Sequence, residues 1–77
     1  MIGVICQNFR EGQLGLTRKQ FSQKTGLTVS QIRHFEQGRS RNMNILMKYV
    51  LLGLDIEEAL AVAEEDFNDF IRRYKHD

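Results

Sequence analysis

The stretch Val29-Ser30-Gln31-Ile32-Arg33-His34-Phe35-Glu36-Gln37 gathers side chains that can read hydrogen-bonding edges. Wound as a helix, it turns Ile32 and Phe35 to one side and Val29, Ser30, Arg33, His34 and Gln37 to the other. On such a face Arg33 can donate two parallel N–H bonds to guanine O6 and N7. Gln31 or His34 can bond another base edge, Val29 can pack on a thymine methyl, and Ser30 can serve a base or a phosphate. The base-reading candidates are therefore Val29, Ser30, Gln31, Arg33 and His34. Around them lie groups suited to phosphate oxygens: Thr17, Arg18, Gln37, Arg39, Arg41 and Asn42. Such contacts supply affinity and salt dependence but carry no sequence information.

Reading chemistry of this kind needs rigid placement, and the flanking sequence provides for it. Thr17-Arg-Lys-Gln20 and Thr28-Val-Ser-Gln31 are both capping boxes, each opening a helix. Gly26 ends the first of these helices and Gly38 the second. Two short capped helices separated by a few residues have the spacing of a helix-turn-helix, whose second helix fits the DNA major groove.

The rest of the chain reads as helix too, which predicts an all-α, compact five-helix domain. The expected helices are Ile2–Glu11, Arg18–Thr25, Val29–Gln37, Ile45–Leu52 and a long one from Asp55 to about Tyr74. Ile2, Ile5, Cys6 and Phe9 share one face of the first, with Gly12 and Gly15 flanking a loop after it. Phe21 points inward from the second. The fourth, capped by Asn44 and stopped by Gly53, carries Ile45, Leu46, Tyr49, Val50 and Leu52 nearly all round, which suits a central position. The fifth opens with another cap, Asp55-Ile-Glu-Glu58. Its residues Ile56, Leu60, Ala63, Phe67, Phe70 and Tyr74 recur at alternating steps of four and three, an a/d seam. The first part of that seam is expected to close the core against the first and fourth helices. Phe67, Phe70, Ile71 and Tyr74 extend beyond it; either they cover Ile2, Ile5 and Phe9, or, as is expected here, their apolar patch forms a dimer interface.

Size and charge narrow the function further. With 77 residues the chain makes one domain, residues 1–77, with 54–77 as its acidic amphipathic helix. Its net charge of +1 conceals a split. Residues 1–48 hold Arg10, Arg18, Lys19, Lys24, Arg33, Arg39, Arg41 and Lys48 against Glu11 and Glu36. Residues 49–77 hold Arg72, Arg73 and Lys75 against eight acidic residues. A polyanion would meet the first half and avoid the second. No apolar run approaches the roughly 18–20 residues of a membrane span. The one cysteine, Cys6, excludes an internal disulfide and a cysteine-based zinc site and reads as core. The two histidines and the Glu57–Asp69 acidic cluster lack the spacing of a metal or catalytic site, so an enzyme, a cofactor and a metal are not expected. The expected compartment is the cytoplasm, and no small-molecule ligand is expected because no sensor segment accompanies the DNA-reading one.

The block from Phe9 to Leu54 resembles the lambda-repressor-like, XRE-type helix-turn-helix family. The matching residues are Phe9-Arg10, Leu16-Thr17, Phe21, Gly26-Leu27-Thr28, Ile32, Phe35-Glu36-Gln37-Gly38, Arg41-Asn42 and the apolar helix from Leu46 to Leu54. The resemblance implies a helical bundle whose third helix reads DNA, usually as a homodimer on a palindrome, and a structural ion pair between Arg10 and Glu36. The chain departs from the family pattern at Arg18, often Gln; Ser22, often Ala; Val29, usually Gln or Arg; and Met43, usually Pro. Its long acidic last helix is not a constant feature either. The expected function is a transcriptional regulator, a repressor acting by steric exclusion. The alternative is an antitoxin-like module whose last helix holds a partner protein, with or without DNA binding. The operator, the regulated genes and the choice between repression and activation are not encoded legibly.

Overall fold

The computed structural model describes residues 2–76, and at positions 63, 66, 67, 70 and 73–76 it describes the backbone alone. Five helices follow one another: α1, Ile2–Asn8, which runs directly into a π-helical turn, Phe9–Gln13; α2, Arg18–Thr25; α3, Val29–Glu36; α4, Met43–Leu51; and α5, Ile56–His76. No strand occurs among the described residues. The all-α architecture agrees with the sequence reading, as do the bounds of α2; α3 ends at Glu36, one residue before the expected Gln37, which is its C-cap.

Both capping boxes form. Thr17 accepts from the Gln20 N–H while the Gln20 side chain accepts from the Thr17 N–H, and Thr28 and Gln31 repeat the arrangement. Gly26, at φ +80°, reverses the chain between α2 and α3 in the left-handed region that glycine adopts without strain. Side chains lock this turn. Ser22 Oγ donates to the Leu27 carbonyl, and Thr25 Oγ1 donates to the Phe21 carbonyl while accepting from the Leu27 N–H. Ser22 thus adds a hydrogen bond where alanine would offer only small size.

The core gathers Cys6, Phe9, Phe21, Ile32, Phe35, Ile45, Leu46, Tyr49, Leu54 and Ala59. Tyr49 is its centre. Fully buried on α4, its ring lies 4.5 Å from that of Phe21 on α2 and 5.9 Å from that of Phe35 on α3. Aromatic pairs at such distances add attraction beyond their buried area.

Four expectations are corrected. Gly12 lies inside the π-helical turn, not in a loop, because helix α1 continues past Glu11 by widening its hydrogen-bond ring. Asn42 caps α4 in place of Asn44, its Oδ1 accepting from the Asn44 N–H at 2.9 Å, which starts the helix two residues early. Leu52 is exposed, since only one side of α4 meets the core. Most informative is α5. Ile56 and Leu60 are about half exposed, at 47% and 50%, and the helix turns Ala59 and Val62 inward instead. The helix packs on α1, and Ala59 is fully buried. The seam is therefore rotated off the monomer core. Of the expected dimer residues, Ile71 is half-buried, and the side chains of Phe67, Phe70 and Tyr74 lie outside the described residues.

A further close contact is at Gly3. A methyl group there would lie 2.4 Å from the Glu36 carbonyl oxygen and 2.6 Å from that of Phe35. No rotamer change relieves a clash with backbone, so α1 can seat on the end of α3 only because residue 3 has no side chain. Gly3→Ala is expected to destabilise the fold by about 1–3 kcal/mol, an overpacking penalty. Urea unfolding measures it, and an unchanged midpoint would show that α1 can move away from α3 freely.

Candidate nucleic-acid interface

The outer face of α3 is built by what its inner face must bury. Ile32, Phe35 and Glu36 are buried, so Ser30, Arg33, His34 and Gln37, at i, i+3, i+4 and i+7, stand together facing solvent. Val29 and Gln31 flank them, both exposed. Within this row Arg33 Nη2 lies 3.4 Å from Ser30 Oγ, a long bond that steers the guanidinium toward the helix start. Gln31 Oε1 is committed to the Thr28 N–H at 2.9 Å, which leaves its amide N–H₂ as the part able to reach a base.

The helix ends on a left-handed Gly38, at φ +78°. The Arg39 N–H then returns to the His34 carbonyl at 2.8 Å and the Gly38 N–H to that of Phe35 at 3.1 Å. This closure fixes the backbone of Arg39 beside the outer face. Gln37, Arg39, Arg41 and Asn42 are all exposed, Arg41 and Asn42 leading into α4. Asn42 spends its side-chain oxygen on the α4 cap and retains its amide donors. At the start of α2, Thr17 is exposed with its hydroxyl engaged in the capping box. A shallow cavity adjoins it, lined by Gln7, Arg10, Glu11, Gly15, Leu16, Thr17 and Arg18.

Beneath this surface sits an ionic cluster. The Glu36 side chain is fully buried and accepts four hydrogen bonds. Arg10 Nε and Nη2 reach its two oxygens at 2.8 Å each, Tyr49 Oη donates at 2.7 Å, and Arg18 Nε donates at 3.1 Å. Arg10 also bonds the Leu16 carbonyl at 2.7 Å through Nη1, which pins the segment leading into α2. Every buried side-chain polar atom among the described residues has a partner. The electrostatics follow from this packing. Burial pushes the Glu36 carboxyl up, but the bonds from Arg10, Tyr49 and Arg18 outweigh it and hold the group below the ordinary glutamate value. The hydrogen bond to Glu36 raises Arg10, against its own burial. Burial, then Glu36, raises the Tyr49 phenol, and the same two causes push the Cys6 thiol up to about 12.

Two of these contacts escaped the sequence reading. Tyr49 counted only as an apolar core residue, and Arg18 only as a phosphate contact; no local pattern joins residues separated by 13 and 18 positions. No group of His, Cys, Asp and Glu fit to hold a metal occurs among the described residues, and no described helix is long and apolar enough to cross a membrane.

Because the folded Glu36 titrates low, its ionised form stabilises the fold above the unfolded value of about 4.3, and that stability drains away as pH falls through the lower folded value. Glu36→Gln is expected to cost about 3–5 kcal/mol near pH 7, where the buried charges lose their partner. The gap between wild type and variant should narrow below about pH 4.3. Denaturant unfolding from pH 7 to 3 tests this, and a gap constant over that range would contradict it.

With this geometry in place, comparison finds that a family model described as Helix-turn-helix matches residues 7–49. No curated protein and no solved structure matches the chain.

Proposed function

The chain belongs to the lambda-repressor-like, XRE-type helix-turn-helix family of DNA-binding regulators, and on that premise we propose that it represses transcription as a homodimer on a palindromic operator. The observation that carries the DNA-reading role is the outer face of α3, where Ser30, Arg33 and His34 stand exposed over a buried Ile32, Phe35 and Glu36. In this reading α3 enters the major groove, Arg33 takes a guanine, and Ser30, His34, Val29 and the Gln31 amide contact neighbouring base edges. Thr17, Arg18, Gln37, Arg39, Arg41 and Asn42 hold phosphates on either side. Two protomers would place their reading helices about 34 Å apart, in successive grooves on one face of the duplex, and exclude polymerase sterically. The working compartment is the cytoplasm, where the DNA is.

Dimerisation is supported by apolar surface that the monomer does not use. Met43, Met47 and Leu51, spaced by four, form an exposed stripe on α4 opposite its buried face, and Ile56 and Leu60 form another on α5. The latter continues into the sequence seam through Phe67, Phe70 and Tyr74, with Ile71 beside it. A coiled-coil seam of this period suits a second copy of the same helix. The same surface would suit a foreign partner if the protein proved monomeric.

Selection from random-sequence duplexes tests the function. Wild type is expected to enrich a palindrome, and Arg33→Ala to lose about 1–3 kcal/mol of discrimination at one base pair in each half-site. Enrichment of nothing by wild type, with only weak salt-sensitive binding, would overturn the reading. Sedimentation of wild type reports the dimer directly.

A further inference from the structure

Arg18 bridges the two ends of the helix-turn-helix. It is the first residue of α2, and Glu36 is the last of α3. The bond between them leaves from Nε, while the Arg18 side chain stays 29% exposed above a Glu36 side chain that is wholly buried. The Glu36 carboxylate is saturated: two bonds come from Arg10, one from Tyr49 and one from Arg18, filling the four lone-pair directions a carboxylate offers. A guanidinium has five N–H donors in a planar fork. Only one of those on Arg18 has a protein partner among the described residues. Arg10 is buried and also lies 3.6 Å from the exposed Glu11 carboxylate, so the cation on Glu36 that solvent can reach is Arg18.

We propose that Arg18 is a positioning residue for base readout, its terminal nitrogens gripping a DNA phosphate while its Nε holds the last residue of the reading helix. The inference rests on the DNA-reading function proposed above. One side chain then ties the backbone contact to the orientation of α3, and thereby of Arg33 one turn before Glu36. A lysine at position 18 could supply the charge, but its single ammonium cannot serve the phosphate and the carboxylate in the same fixed geometry.

The test compares wild type, Arg18→Lys and Arg18→Gln on the duplex that wild type selects and on a scrambled duplex, across a salt series. Arg18→Lys is expected to keep the salt slope, yet to lose about ten-fold more affinity for the selected duplex than for the scrambled one. Arg18→Gln is expected to lose the ratio and also about 0.9 of salt slope per protomer, one phosphate's worth. An Arg18→Lys variant that weakens both duplexes equally, or keeps the full ratio, overturns the inference and leaves the DNA-reading function standing. A wild type without sequence preference overturns both. Neutralising single phosphates of the selected duplex as methylphosphonates gives a second reading on wild type alone, independent of how the variants fold. One position should then lower the ratio beyond the loss of one charge, and a uniform effect at all contacted positions would again overturn the inference.

Discussion

A carboxylate with no access to solvent, Glu36, sets the terms for the rest of this structure. A buried charge is tolerated only when opposite charges and hydrogen bonds replace the water it has lost. Here those replacements come from three places in the chain: Arg10 in the π-helical turn, Arg18 at the head of α2, and Tyr49 in α4. The last residue of α3 is thus tied to every helix before α5. Gly3 adds the steric side of the same constraint, because α1 approaches the Glu36 backbone more closely than any side chain would permit.

That constraint also bears on α3, the second helix of the helix-turn-helix. With Glu36 fixed at one end and the Thr28–Gln31 capping box at the other, the helix has little freedom to roll, and the exposed row Ser30, Arg33, His34 and Gln37 follows from what is buried beneath it. The π-helical turn fits the same logic. It lengthens α1 by a wider ring at the place where Arg10 must reach inward to Glu36 and to the Leu16 carbonyl together. Arg18, the first residue of α2, belongs to the buried cluster as well as to the surface.

The far side of the molecule obeys a different rule. Helices α4 and α5 each bury one face and leave a second apolar stripe in solvent, Met43-Met47-Leu51 on one and Ile56-Leu60 on the other. Scattered exposed apolar residues are ordinary, but two stripes at helical spacing are not. Most of the acidic residues lie in residues 49–77 and most of the basic ones in residues 1–48, the half that carries the helix-turn-helix.

Local rules in the sequence were enough for the helix-turn-helix. Both capping boxes, the Gly26 and Gly38 exits and the inward Phe21, Ile32 and Phe35 follow from contacts within four residues, which composition and spacing encode directly. The charge division and the all-helical class are legible for the same reason. The cap of α4 was misplaced because Asn42 and Asn44 are chemically equal, and only the path of the loop selects between them. The face of α5 was misread because a seam repeating every three and four residues shows that a helix has an apolar side without showing what lies against it. In the folded chain α5 packs on α1 and turns Ala59 and Val62 inward, leaving Ile56 and Leu60 about half exposed. The roles of Tyr49 and Arg18 at Glu36 belong wholly to the tertiary structure. They join residues far apart in the chain, and a buried charge draws its partners from whichever side chains packing brings within reach.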